Sequence, residues 1–398
     1  MAELELTIMA RGTTTPADLK PLLDEFEAKS RVSVRLRALG WDTAWAELLK
    51  VALYQHGPDV SEIGTTWLGS YIGMDALRPL TDYDVAAIGG PSAFIPSAWQ
   101  SGSQIDPMTD KAVQWAVPWW ADTRLIYYRR DILDHAGVEE QAAFLSAERL
   151  EGTLARLQTA GVPVPWVVPT RQSRMTIHNV ASWVWAAGGR FISDDGRRTC
   201  FHEPEARAGI RAYFELARYL AEPARNLDDT QSDAWFGLGK AAATLSGPWL
   251  LQFASPEVAA NVGLTFPPGV PFVGGSHLVC WKHAGHSEAA IKLIRFLTSQ
   301  RVQAGFGQRA GLLPTRPDVL SNPPYADVPL YRTVAQGLER GRSFPSLTLW
   351  GLVEDKLNEA FSQLWADLLA NSDLDLEQAI AEHLEPMAQR LDLTLGSR

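Results

Sequence analysis

The chain has 398 residues, 46% of them hydrophobic and 21% charged, which is enough for two domains or one large core and unlike a disordered chain. A formal net charge of -10 argues against nucleic acid as the main partner, because phosphate binding needs a basic field. No apolar run approaches the roughly 20 residues that a membrane-spanning helix requires.

Leu4, Leu6 and Ile8 alternate with polar residues, as in a half-buried strand. Thr15 is placed to cap a helix, Pro16 to take its first turn and Asp18 to face the positive end of its dipole. Leu19, Leu22, Leu23 and Phe26 follow at helical spacing. Val32, Val34 and Leu36 predict a second strand. A second helix starts near Asp42, which is placed to cap it, and carries Trp45, Leu48, Leu49, Ala52 and Leu53 on one face. Gly57-Pro58-Asp59-Val60 turns the chain into a short third strand. This order predicts a parallel sheet covered on both faces, in which ligands gather at the carboxyl ends of the strands. Arg11 and Thr13 stand at that end of the first strand, and Gly64, Thr65, Thr66 and Trp67 at that of the third.

Residues 80–112, rich in Gly, Pro, Ser and Asp, read as loop and short helix. A strand is predicted over 125–128, with Pro118 as a crossing point between lobes. Later helices are marked by Ile210, Tyr213, Phe214, Ala217 and Leu220, and by Ile291, Ile294 and Leu297. Two more carry Val353, Leu357, Phe361, Leu364, Trp365 and Leu368, then Ala379, Ile380, Leu384, Met387 and Leu391. Gly237-Leu238-Gly239-Lys240-Ala241-Ala242 mimics a dinucleotide fingerprint, but no strand precedes it, and it reads as a decoy. Cys200 and Cys280 form no C-x-x-C pair and are expected as two free, buried thiols. His283 and His286 lack a third ligand nearby, so neither a metal nor a cofactor is expected.

Fifteen tryptophans occur. Trp41, Trp67, Trp119, Trp120, Trp249 and Trp350 lie beside Gly, Pro or Thr at the ends of apolar segments, where an indole can line a cleft. An indole face packs on the C–H face of a sugar ring while its N–H reaches a hydroxyl, so this distribution points to small polyhydroxylated solutes. Trp183, Trp185, Trp235, Trp281 and Trp365 fall on apolar stripes and are expected in the core.

Taken in order, a series of short motifs carries a resemblance. Gly57-Pro58-Asp59-Val60 leads to Ile63-Gly64-Thr65-Thr66-Trp67 and Ala76-Leu77-Arg78-Pro79-Leu80. Val117-Pro118-Trp119 runs on to Tyr127-Tyr128-Arg129-Arg130-Asp131, followed by Ala187-Gly188-Gly189. Gly239-Lys240-Ala241-Ala242 enters Gly247-Pro248-Trp249, and then come Phe272-Val273-Gly274-Gly275-Ser276-His277 and Gly311-Leu312-Leu313-Pro314-Thr315-Arg316. Over nearly its whole length the chain resembles the extracellular solute-binding proteins of ATP-binding-cassette sugar importers, the relatives of maltose-binding protein.

The resemblance implies an α/β, two-lobe periplasmic-binding-protein fold of type II. Each lobe would have a central, mostly parallel sheet flanked by helices, with the ligand in the cleft. Residues 1–116 and 266–312 would form one lobe, and 117–265 and 313–398 the other, with crossings near 116–118, 263–266 and 312–314. It implies a non-enzymatic receptor that binds a mono- or oligosaccharide by stacking and hydroxyl hydrogen bonds, closes about a hinge and delivers it to membrane permease subunits. A monomer without cofactor or nucleic acid is expected. The family is exported behind a signal or lipoprotein peptide, and the N-terminus lacks the basic and apolar segments of one. Met1-Ala2 is therefore expected to be an added start on a mature chain, periplasmic or extracellular, free or lipid-anchored.

The resemblance places Trp249 under a sugar ring, the alternative being an indole that anchors the hinge. It places Trp67 and Trp350 in the cleft too, against core packing for Trp67 and packing on its own lobe for Trp350. Trp119 and Trp120 are adjacent on a strand, so at most one should face the ligand. Asp122 and Arg124 could supply an acceptor and a forked donor for hydroxyls, or form a salt bridge or solvated turn. Trp41, Arg11, Thr13 and Thr66 are pocket candidates at strand ends. Gly274, Gly275, Ser276 and His277 are expected to make a tight turn whose N–H groups face the cleft, with His277 bonding the ligand or packing. The same fold could hold another solute, with cleft carboxylates arguing for a polyamine and a basic pocket for a glycerol phosphate ester. A glycoside hydrolase would need two carboxylates about 5–10 Å apart across the bond, and the strand–helix order and Gly-Pro-Trp argue against it.

Overall fold

The computed structural model describes residues 2–10, 16–106, 109, 111–171, 173, 175–371 and 373–396. Arg11, Thr13 and Thr15 lie outside the described residues, as does the side chain of Asp42. Strands in chain order are β1 (Ala2–Met9), β2 (Val32–Leu39), β3 (Val60–Gly64), β4 (Ser103–Ile105), β5 (Ala112–Gln114), β6 (Ala116–Thr123), β7 (Leu125–Arg129), β8 (Trp166–Val167), β9 (Ala243–Ser246), β10 (Val262–Thr265), β11 (Val273–Cys280) and β12 (Leu313–Pro314). The chain divides into two compact units, Met1–Thr123 with Val273–Gly351, and Arg124–Phe272 with Leu352–Arg398.

These boundaries differ from the expected crossings. Pro118 is not a crossing point, because β6 continues in the first unit to Thr123, paired with β11 throughout. The largest change concerns residues 313–351, which stay with the first unit: Leu313 and Pro314 pair with β6, Ser97 Oγ donates to Leu338 O, and Ser346 Oγ donates to Ser101 O.

In the first unit the strand order is β12-β6-β11-β3-β1-β2. The β1, β2 and β3 part is parallel, as the alternating strand–helix pattern predicts, with Ala2 opposite Val32 and Leu6 opposite Val60. The other half is antiparallel, built on β11. That strand runs through the segment expected to be a tight turn: Gly274-Gly275-Ser276-His277 lies between β3 and β6. The glycine is needed by packing, since a Cβ on Gly275, at φ +136°, would lie 2.0 Å from Trp120 O. On one side of the sheet Leu4, Leu6 and Ile8 pack with Leu19, Leu23 and Phe26 of helix Pro16–Ser30 and with Ile291 and Ile294 of helix Ser287–Leu297. On the other, Ala44, Leu48 and Ala52 of helix Trp41–Tyr54 pack with Leu68, Tyr71 and Trp281. Leu53, expected on that apolar face, is exposed.

The second unit has the order β10-β7-β9-β8, with β8 and β9 parallel and the other pairs antiparallel. Helices Met175–Ala186, Pro204–Phe214 and Trp350–Ala370 pack through Trp183 on Tyr213, and through Tyr213 and Phe214 on Trp365. The dinucleotide mimic is the turn from helix Asp229–Gly237 into β9, with Gly239 in the left-handed region at φ 74°. Trp235 is only half-buried, with the Lys240 ammonium 5.3 Å from its ring centroid. Both cysteines are free and buried.

Candidate functional site

In the second unit β9 ends at Ser246, and Pro248, with its fixed φ, opens the short helical turn Pro248–Phe253. Gly247 lets Trp249 fold back, because a Cβ there would lie 2.2 Å from the indole. Helix Asp229–Gly237 starts at Asp228 with a capping box closed by Gln231. Asp229 and Asp233, one turn apart, share a face of it. The Trp249 indole donates from Nε1 to Asp233 Oδ2 at 2.8 Å. Arg124, the first residue of this unit, places its guanidinium carbon 5.0 Å from the Trp249 ring centroid, a cation–π contact. Its Nη2 lies 2.9 Å from Met175 Sδ and 3.3 Å from His178 Nδ1. Arg124 is buried, whereas Trp249 is half-buried.

Arg124, Met175, Asp229, Asp233 and Trp249, with Asn179, Ser232 and Ser246, line a recess with about 220 Å³ of empty space, counting what opens to solvent. Burial pushes the Asp233 carboxyl up to about 6 despite hydrogen bonds from Ser246 and Trp249. Burial also raises Asp229, against a bond donated by Ser173 Oγ at 2.5 Å and the charge of Arg124. The recess thus combines a half-exposed indole, two aspartates and one guanidinium. Asp229, Asp233, Met175, His178 and Asn179 were not singled out from sequence. The signal for the two acids was their four-residue spacing in a helix shortly before Gly-Pro-Trp.

In the first unit β3 ends at Gly64, and Thr65–Trp67 forms a short helical turn. Trp67 is buried, with the edges of Trp41 and Trp45 on it at 5.6 and 5.5 Å between centroids. Trp41 and Thr66 are half-buried. The sequence reading also passed over Glu62, a fully buried acid in β3 whose Oε2 accepts from Met9 N at 2.7 Å and so holds the end of β1.

The other candidates of the first unit are buried or half-buried. Trp119 and Trp120 are both buried in the first unit's core, 5.2 Å apart. They escape strand alternation because the register shifts: Ser276 faces Trp120 but His277 faces Pro118, so Trp119 is an extra, bulged residue. The indole of Trp119 donates to Leu297 O at 3.3 Å. His277 is buried, with Nε2 3.3 Å from Ala98 O and 3.2 Å from Ser101 Oγ, and burial lowers it to about 4. Ser276 is buried beside it, and Gly275 is half-buried. Trp350 is enclosed and stacks on Phe344 at 4.6 Å. Asp122, half-buried on β6, lies opposite Gly274.

The sequence model of a family described as bacterial extracellular solute-binding protein matches residues 22–333. The chain belongs to this family. A curated relative of this solute-binding protein is the diacetylchitobiose binding protein DasA of Streptomyces coelicolor, 21% identical over 97% of this chain and 90% of the relative. Among solved structures, an ABC transporter solute-binding protein from Thermotoga lettingae bound with α-D-tagatose superposes with a TM-score of 0.85 at 20% identity, covering all of both chains. The sugar-binding protein MalE from Xanthomonas citri gives 0.80 at 24% identity, covering 100% of this chain and 98% of that one. The fold is the MalE-like α/β fold.

Proposed function

We propose that this solute-binding protein is the receptor of an ATP-binding-cassette importer, and that its solute is a mono- or oligosaccharide handed on unchanged to membrane permease subunits. The observation that carries the reading is the second unit's recess, where a half-exposed indole is fixed by Asp233 and braced by Arg124. An indole offers the C–H face of a sugar ring a flat apolar partner, and carboxylate and guanidinium groups suit its hydroxyls. The names of the relatives, which concern diacetylchitobiose, tagatose and sugars in general, support the same class. Trp41, Trp67, Thr66 and Asp122 in the first unit, with Arg11 and Thr13, are proposed further contacts. The receptor works as a monomer without cofactor or catalysis, outside the cytoplasmic membrane, free or lipid-tethered, and closes on its solute. A second reading, a cationic solute such as a polyamine, is favoured by two aspartates facing one arginine in the recess.

A thermal-shift screen over maltose, N,N′-diacetylchitobiose, D-tagatose and spermidine tests both. A sugar at 100 times its Kd should stabilise the fold by about 2.7 kcal/mol. Trp249→Ala should lose most of that shift. A shift with spermidine alone supports the second reading, and hydrolysis of the sugar during incubation rules out a pure receptor. Equal sugar affinity in Trp249→Ala and the parent would remove the recess from the site.

A further inference from the structure

His178 lies on helix Met175–Ala186, and three side chains of the second unit converge on its ring. Arg124 Nη2 is 3.3 Å from Nδ1, Glu354 Oε1 is 3.4 Å from Nε2, and the Phe272 ring stacks on the imidazole at 4.5 Å and 8° between planes. These three partners share a place in the chain. Arg124 is the residue at which the chain enters this unit, Phe272 the one at which it leaves, and Glu354 comes just after it re-enters at Leu352. A guanidinium has only donors, so Nδ1 is the acceptor toward Arg124, while Nε2 faces the buried Glu354 carboxylate. The ring's tilt and position are therefore held from three directions, and Arg124 carries that order on to the face of Trp249.

We propose that His178 is the positioning residue of the solute recess: it sets Arg124 against Trp249 and ties both to the three points where the chain enters and leaves this unit. The proposal rests on Trp249 belonging to the sugar site, as argued above. Polar side chains that hold a binding group in place, without touching the ligand, commonly decide how well that group binds.

The test uses the full chain labelled with 5-fluorotryptophan, the Trp249 resonance being assigned by its absence in Trp249→Phe. His178→Phe keeps a ring to stack on Phe272 and removes both polar contacts. It is expected to move the Trp249 resonance of the sugar-free protein and to weaken, by about tenfold, binding of whichever of maltose, N,N′-diacetylchitobiose and D-tagatose the parent binds. His178→Gln, which offers an acceptor to Arg124 and a donor toward Glu354, should restore the resonance and most of the affinity, a rescue that a space-filling role would not produce. Phe272→Leu should move the same resonance, and it decides the matter if His178→Phe does not fold. A Trp249 resonance unmoved by these changes, or a Gln variant that binds as weakly as the Phe variant, overturns the proposal. If the parent binds none of the three sugars, the carbohydrate reading falls, and the resonance alone decides the role of His178.

Discussion

Asp233 and His277 are both buried, and burial moves them in opposite directions, up to about 6 and down to about 4. Between about pH 4 and 6 the folded chain keeps a proton on Asp233 that the unfolded chain releases, so this group lowers stability as the pH rises through that window. Between about pH 6.5 and 4 the unfolded chain binds a proton that folded His277 refuses, so this group lowers stability as the pH falls. Each effect has a ceiling of about 3 kcal/mol, since a tenfold change in proton affinity is worth about 1.4 kcal/mol, and in the parent they partly cancel. Urea unfolding from pH 4.5 to 7 should therefore show Asp233→Asn losing stability more steeply than the parent on acidification, and His277→Gln less steeply. Unchanged slopes would mean that neither group is buried in its charged-disfavouring site. Asp233→Asn keeps an acceptor for the Trp249 indole, so its effect on slope is separable from loss of the recess.

The bulge at Trp119 is the element on which the first unit's core turns. Side chains from two other segments bond the carbonyls at the bulge: Gln303 Nε2 donates to Trp119 O at 2.7 Å and Thr315 Oγ1 to Pro118 O at 3.1 Å. Gln303 and Thr315 also bond each other, with Thr315 N donating to Gln303 Oε1 at 3.0 Å. Gln303→Leu leaves the buried Thr315 N–H without its partner and Trp119 O with only the longer contact to Thr315 Oγ1 at 3.4 Å, and should cost about 2–3 kcal/mol in chemical denaturation. Gly275→Ala should cost more than about 3 kcal/mol, since it adds a methyl 2.0 Å from Trp120 O at a φ of +136°. Full stability of either variant would mean that β6 and β11 pair in another register. The period-2 rule reads a regular strand well, as at Leu4, Leu6 and Ile8, but it cannot announce an extra residue. That is why it allowed at most one of the two indoles to face the ligand without foreseeing that both are buried on the same core. Gly274 to His277 was misread for a related reason: local composition favours a turn, while the need for close backbone approach comes from the neighbouring strand.

Three passages of the chain between the units make the boundaries testable at the scale of the molecule. Thr123 and Val273 are register partners on β6 and β11, so a short Gly-Ser hairpin can join them. A chain of residues 1–123 joined to 273–351 should fold cooperatively, with dispersed amide resonances. The same chain ended at Leu312 should not, because it loses β12 and the Thr315 hydroxyl from the bulged carbonyls. Equal folding of both would return the third boundary to residues 312–314. In the recess, Gly-Pro-Trp was legible because Gly and Pro mark an element's end wherever they occur, and it led to Trp249. Asp233, the contact of Arg124 with Trp249 and His178 were not, since these residues meet only after a helix, a strand end and a later helix are packed.

By itself the sequence determined the order of the first three strands and two helices, the parallel start of the first sheet, the net negative charge and the family to which the chain belongs. These rest on local periodicity, composition and motif order, which a linear reading contains. Tertiary structure alone decided which indoles are core and which borders a recess, where the third passage of the chain lies, and which side chains hold Trp249. Each of these depends on register and on contacts between segments far apart in the chain, and a one-residue bulge is enough to reverse the direction a side chain faces.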